Sequence, residues 1–482
     1  MKKRITGIVL CVVLLFSTAA PVSAKGFLSS TPEYPLVVVR GMDFSGLYID
    51  EGTENERPAL GEIDATGIIK TLVLAGISAG ISRSFEGVID QALVYAQGIL
   101  GSLACDNTGA SVYNISPHRY PGAISSYPNF EHGNTNELGV VKRGTELYGG
   151  ENVYYFAYDW RMNPLDIADE IAETVDLAIS ETGKSKVNLI CCSMGGVMTV
   201  AYMTKHGYDK LNKCVFVSST AGGVDLVSDL LQGNVVIESE DLYNMVEYQV
   251  RDSEFLPLIN VLNVFGVFNA VTSFTNDIVD TYKYKVFDEF LRDSFGHMLS
   301  LWALVQPEDY DNAVEYMFGG KESEYEIFLQ KTDALQEMMR NRDDMLKAAE
   351  SSGVEIAVIA SYNLPGIPLT ERAAQNGDGT IETKGMSLGA TVADYGKTLD
   401  DEIVYSGSPY VSADGVIDAR SALFPNSTWL FKDAPHVGCG YGTEQSDFLF
   451  WLLETPSASV NSNSLYPQFV QSNGDMVIMP LY

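Results

Sequence analysis

The sequence predicts an α/β protein with a mostly parallel central sheet, helices on its faces and one long helical insertion. Three observations predict it. Short apolar, β-rich runs alternate with stretches of helical periodicity. One such run, Val187-Asn188-Leu189-Ile190-Cys191-Cys192, passes through Ser193-Met194-Gly195-Gly196 directly into a helical pattern. The alternation then stops after Gly222-Gly223 and resumes only near Val354.

In chain order, Leu36–Val39 reads as the first buried strand, and residues 66–103 carry small and aliphatic residues at helical spacing. A Gly-, Pro-, Asn- and Tyr-rich stretch over 107–150 reads as loop. Residues 153–158 form an aromatic strand, and 165–179 form a helix after Pro164 with Asp166, Asp169 and Glu170 early, where they favour its dipole. Residues 187–191 and 214–217 are strands on either side of a helix over 194–206. Residues 225–350 are helical with no convincing strand. Strands return at 354–360 and 428–431, a helix follows at 445–454, and the tail 455–482 ends in an apolar, strand-like run over 477–482. The expected division is therefore a core over 25–224 and 351–454, a cap over 225–350 and a tail over 455–482.

A strand delivering serine into a sharp turn and straight into a helix is a nucleophile elbow, which makes Ser193 the candidate nucleophile. The pattern here is C-x-S-x-G, with Cys191 where glycine is usual. Serine needs a base held by a third group. Of the five histidines, His118 and His132 precede the serine, His206 ends its helix and His297 lies in the cap. That leaves His436, just after a predicted strand, as the base. The order Ser, acid, His is the one used by the α/β-hydrolase fold. The glycine-flanked Asp378, in Asn376-Gly377-Asp378-Gly379, is the favoured acid, and Asp414, in Ala413-Asp414-Gly415 and closer to His436, is its rival. The backbone N–H of Met194, next after the serine, and of Met42, in the loop after the first strand, are the expected oxyanion donors.

Taken together, these stretches resemble the lecithin:cholesterol acyltransferase-like lipases, a family that includes lysosomal phospholipases. The likeness rests on Pro35-Leu36-Val37-Val38-Val39-Arg40-Gly41, Tyr158-Asp159-Trp160-Arg161, the Ser193 turn, and Gly377-Asp378-Gly379-Thr380 followed by Ser387-Leu388. Ser300-Leu301-Trp302 through Pro307 adds a weaker cap pattern. The resemblance implies a serine esterase, lipase or acyltransferase acting on lipid esters through a Ser-Asp-His triad with no cofactor or metal, and it supports Asp378 over Asp414. The alternatives are an inactive cell-surface binding protein that keeps the fold and an amidase or peptidase on the same fold. The chain departs from the family at Cys191, at Arg40, where proline or histidine is common, and in a longer separation between Asp378 and His436. Taken alone, Asp159 beside Arg161 reads as a local salt bridge.

The remaining features bound the setting. Lys2, Lys3 and Arg4, an apolar run, and Val22-Ser23-Ala24 describe a signal peptide over 1–24 and a secreted protein. The chain carries 63 acidic and 31 Lys/Arg residues, a net charge of −32 that becomes −35 without that leader. So acidic a surface excludes nucleic acid and strongly anionic membranes as partners. Five widely spaced cysteines outlast the leader, which is no disulfide framework. Residues 255–276 hold no charge, and Pro257, Gly266 and four asparagines interrupt or end them. This marks a substrate-facing or lid helix pair that touches a lipid interface transiently, with a buried helix and a membrane span as the alternatives.

Overall fold

The computed structural model describes residues 32–61, 86–128, 130, 135–436, 443–472 and 477–481. The expected leader, most of the stretch 66–103, and His132 lie outside them.

Eight strands form the central sheet. They are β1 (Leu36–Val39), β2 (Val153–Phe156), β3 (Val187–Cys192), β4 (Leu211–Val217), β5 (Glu355–Tyr362), β6 (Thr428–Lys432), β7 (Phe469–Ser472) and β8 (Ile478–Pro480). Their order across the sheet is β2-β1-β3-β4-β5-β6-β7-β8. All neighbours run parallel except β8, which is antiparallel to β7. From β1 the chain steps outward to β2 and then returns to place β3 on the other side of β1. In open α/β sheets, a reversal of this kind leaves a crevice at the carboxyl ends of the strands. Val39 of β1 lies level with Cys191 of β3, which lies level with Phe216 of β4, so these strands end together.

Both faces of the sheet are buried, which is why its strands read as continuous apolar runs rather than alternating ones. Val37, Val39, Leu189, Cys191 and Phe216 point into one core, and Leu36, Val38, Ile190, Cys192 and Val215 point into the other. The first core is closed by α3 (Pro164–Thr182) and α4 (Gly195–His206), and the second by α2 (Thr135–Tyr148) and α12 (Thr443–Glu454). Local chemistry sets the ends of α3. The Asn163 side chain accepts from the Leu165 N–H at 3.0 Å, Pro164 occupies the first turn, and Gly183 closes the helix at φ 67°.

Among the described residues, the segment between β4 and β5 is helical. It contains α5 (Asp225–Leu231), α6 (Ser239–Val250), α7 (Leu256–Val264), α8 (Val267–Val286), α9 (Tyr310–Phe318), α10 (Glu326–Arg340) and α11 (Arg342–Ser351). The last two pack against α4. α1 (Glu86–Leu100) lies against α8 and the π-helical turn that follows it.

Two expectations need correction. The stretch 107–150 is not all loop, because α2 occupies its end. Its sequence is weakly apolar and holds Gly139 and Gly144, so propensity argues against a helix. Packing decides otherwise: a Cβ on Gly144 would meet Leu36, Val153 and Phe450 side chains at 3.2–3.3 Å, so glycine lets the helix lie close on the sheet. The strand-like run expected at the end of the tail is β8, but the residues after 455 also hold β7, which was not expected and extends the parallel sheet that β8 caps.

The Tyr158-Asp159-Trp160-Arg161 run forms a buried corner at the end of β2. Arg161 is fully enclosed. Its guanidinium donates to both Asp159 oxygens (2.9 and 2.6 Å), to the Leu103 carbonyl (2.8 Å) and to the Ser111 hydroxyl (2.9 Å). Removing the carboxylate alone would leave a buried cation uncompensated. Asp159→Ala should therefore lower stability by about 3–5 kcal/mol, read as a shift of the denaturant midpoint.

Candidate active site

β3 ends at Cys192, and Ser193 follows at φ 49°, a left-handed conformation that costs a non-glycine residue roughly 1–2 kcal/mol. The surroundings hold it there. The Ser193 N–H donates to the Val217 carbonyl at 3.0 Å, and its carbonyl accepts from the Gly196 N–H (2.9 Å) and the Thr220 N–H (3.0 Å). Helix α4 begins immediately afterwards and lies hard against the end of β1: a Cβ on Gly195 would sit 2.6 Å from the Val39 carbonyl oxygen and 2.7 Å from that of Arg40. Only glycine fits.

Cys191 occupies the usual glycine position without disturbing the turn. Its side chain is buried in the core, where its Sγ donates to the Val215 carbonyl at 3.5 Å. Burial, followed by the neighbouring Cys214 thiol, pushes the Cys191 thiol well above its ordinary pKa, so it is an inert core group.

His436 lies just beyond β6. Its Nε2 is 2.9 Å from Ser193 Oγ, and its Nδ1 is 2.6 Å from Asp378 Oδ2. An ionised Asp378 can only accept, which puts the proton on Nδ1 and leaves Nε2 to accept the serine hydroxyl. Asp378 is buried, and its other oxygen accepts the Thr380 and Ile381 N–H groups at 3.0 and 2.9 Å. The His436 N–H also donates to the Asp378 carbonyl at 3.0 Å, locking the two loops together.

The other candidates fall elsewhere. Asp414 pairs with Lys432 at 2.9 Å and accepts from the Tyr362 hydroxyl at 3.1 Å. Burial would raise its pKa, but the Ser412 hydrogen bond and Lys432 hold it below the ordinary value. His118 pairs with Glu56 and His206 with Asp169, while His297 is buried against the Cys105 carbonyl.

Met42 and Met194 flank the site, one in the loop after β1 and one directly after Ser193. Among the described residues, neither backbone N–H donates to another backbone group. A clamp that sequence reading missed fixes the Met42 loop. Buried Arg40 donates to Asp43 (3.3 Å) and to the Tyr158 carbonyl (3.1 Å), and the Tyr158 hydroxyl donates back to the Arg40 carbonyl (2.9 Å). Asp43 in turn accepts the Ser45 and Gly46 N–H groups. Glu382, four residues past Asp378, was also not legible. It is nearly enclosed, and it accepts the Asp225 N–H at 3.2 Å, joining the first helix after β4 to the Asp378 loop. Asp225 and Asp229 are bridged in turn by Arg372, which also reaches Asp309.

This arrangement can do one thing in particular: an imidazole oriented by a buried carboxylate can take a proton from the serine hydroxyl beside unpaired N–H groups. No family model and no curated protein matches the chain. One solved structure that it resembles is described as the crystal structure of the Tle4-Tli4 complex. The identity is 13%, and the match covers 42% of this chain and 48% of that one, about half its length, with a TM-score of 0.26. A likeness of that size carries no argument.

Burial, with the Asp225 and Asp378 carboxylates adding to it, pushes the Glu382 carboxyl up to about 8. Above its ordinary value of 4.5 the unfolded chain releases this proton while the folded chain keeps it, so the folded state binds more protons between pH 4.5 and about 8. Stability therefore falls as pH rises through that window and levels off above it. Glu382→Gln should flatten this slope and raise stability at pH 8, measured by urea unfolding at pH 5 and 8.

Proposed function

We propose that the chain is a serine hydrolase of the α/β-hydrolase fold, related to the lecithin:cholesterol acyltransferase-like lipases, which cleaves acyl esters and lipid esters foremost. The observation that carries this reading is the Asp378–His436–Ser193 relay, with contacts of 2.6 and 2.9 Å, seated at the carboxyl ends of β3, β5 and β6. Its position beside the strand-order reversal, and the left-handed serine at a strand-to-helix turn, support it.

In this reading His436 takes the Ser193 proton as Oγ attacks the ester carbonyl. The Met42 and Met194 N–H groups bind the resulting oxyanion, and the Arg40–Asp43–Tyr158 clamp fixes the first of them. His436 then passes the proton to the departing alcohol as the C–O bond breaks, leaving an acyl-serine. Water, or an acceptor alcohol, gives a proton to His436 as it attacks the acyl-serine; the acyl–Oγ bond then breaks, His436 returns the proton to Ser193 Oγ, and the free acid or the new ester leaves. Asp378 holds the imidazole in its tautomer and offsets its charge throughout. A leader cleaved after Ala24 would place the protein outside the cell.

The lipid preference rests on the hairpin of α7 and α8. Leu258, Val261, Val271 and Phe274 are about half exposed there, and Val264 and Phe265 at the bend are 85% and 79% exposed. Among the described residues no single helix is long and apolar enough to cross a membrane; these two together are, but they bend by 71°. A kinked apolar tip of this kind suits lying in an interface. Asp252, Glu254, Asp277 and Asp280 bracket the uncharged run, with Arg251 paired to Asp252 and Lys283 to Asp280. The remaining carboxylates, in a chain of net charge −32, disfavour an anionic membrane and select an uncharged or zwitterionic lipid surface.

A fluorophosphonate probe should label wild type and leave Ser193→Ala unlabelled; a folded wild type that does not react would overturn the hydrolase reading. Replacing Val264 and Phe265 together by serine should cut hydrolysis of esters in phosphatidylcholine vesicles by about tenfold or more, by analogy with the ~0.8 kcal/mol per buried CH₂ that anchors apolar groups in lipid. Turnover of a water-soluble short-chain ester should not change. Equal loss on both substrates would sink the docking role.

A further inference from the structure

Away from the serine, a small antiparallel sheet brings His118 to two side chains, Glu51 and Glu56, that are distant from it in sequence. Its strands are Tyr48–Ile49, Arg57–Pro58 and Ile115–Ser116, with Tyr48–Ile49 in the middle. Glu51 lies just past the first, Glu56 just before the second and His118 just past the third. One ligand atom from each lies within 4.8 Å of the other two. We propose that Glu51, Glu56 and His118 form a binding site for a divalent transition-metal cation of the zinc type. The proposal stands independently of the hydrolase reading.

Three features distinguish this cluster from an ordinary surface ion pair. Its donors are already oriented: the His118 ring stacks on Tyr48 with centroids 4.0 Å apart and planes 4° from parallel, and Glu56 Oε2 accepts the Gly52 N–H at 2.7 Å, which leaves Oε1 to face His118 Nε2 at 3.0 Å. Metal sites hold their ligands by outer contacts of this sort. Second, Glu51 has no hydrogen bond or ion pair among the described residues, yet it adds a second carboxylate to a pair that needs only one. With a neutral imidazole, two carboxylates at this range repel each other, and a cation reverses the sign of the interaction. Third, the donor chemistry is selective. Imidazole with carboxylates suits zinc and its neighbours, whereas calcium prefers an all-oxygen shell. Donors around zinc at ~2.0–2.2 Å stand roughly 3.3 Å apart. The His118–Glu56 contact, at 3.0 Å, needs to open by only about 0.3 Å to reach that spacing, and rotation of the Glu51 side chain supplies the rest.

The site also has a place in the fold. Glu56 and His118 are 62 residues apart, so a shared cation closes a long excursion of the chain.

The test is calorimetric titration of chelator-stripped full-length protein with zinc chloride, followed by thermal unfolding with and without zinc. One equivalent should bind with micromolar or tighter affinity and raise the unfolding midpoint. His118→Ala and Glu51→Gln, both surface changes, should each weaken binding at least about tenfold. His206→Ala, which removes another exposed histidine–carboxylate pair, should leave binding unchanged. Equal affinity in wild type and in both site variants, or no stoichiometric binding at all, would overturn the site. Calcium binding as tight as zinc would overturn the assignment of metal class.

Discussion

The site depends on a single strained residue. Ser193 adopts a left-handed backbone conformation that an L-residue avoids, and it does so because β4 holds its N–H while the turn after β4 and the start of α4 hold its carbonyl. The turn brings Oγ to 2.9 Å from His436 Nε2 and leaves the next backbone N–H without a backbone acceptor among the described residues. Neither result would survive if α4 could relax away, and it cannot, because Gly195 is wedged against the Val39 and Arg40 carbonyls. The parallel sheet is the anvil on which the turn is bent, and both of its faces are sealed by apolar side chains.

Charge is arranged around that turn in a consistent way. In a chain of net charge −32, three arginines each serve several acceptors, Arg161 and Arg40 buried and Arg372 partly so. Arg161 closes the corner after β2, Arg40 fixes the loop after β1, and Arg372 binds Asp225, Asp229 and Asp309. Such groups add little net stability once desolvation is counted, but they specify geometry, because each guanidinium has only one arrangement that satisfies its neighbours. Two of the three act on loops that frame the serine, either directly or through the Asp225–Glu382 contact.

Much of this was legible before any coordinates. The apolar runs of β1, β3, β4, β5 and β6 are unmistakable because strands buried on both faces leave no polar positions to blur them. Ser193 and His436 follow from chain order and from the strands that precede them. On residues alone Asp378 was favoured but Asp414 stayed open, since both precede a glycine and lie between a strand and His436. It is decided by which loop reaches the imidazole, with Asp414 taken up by Lys432 and Tyr362. α2 was missed because two glycines lower its helix propensity while its packing demands one of them. β7 was missed because a four-residue edge strand, Phe469-Val470-Gln471-Ser472, carries too short a pattern to stand out from a polar tail.

What the sequence determined by itself is therefore the layered architecture and the identity of the groups that share a proton, since both are written in local patterns of period, turn chemistry and order. What only the tertiary structure decided are the contacts between residues far apart in the chain. They include the acid that meets His436, the Arg40 clamp on the Met42 loop, the enclosure of Glu382 beside Asp378, and the meeting of Glu51, Glu56 and His118. None of these has a local signature. Each exists only because strands drawn from distant parts of the chain end side by side, and the distance between two side chains across a sheet is set by register and packing rather than by sequence spacing.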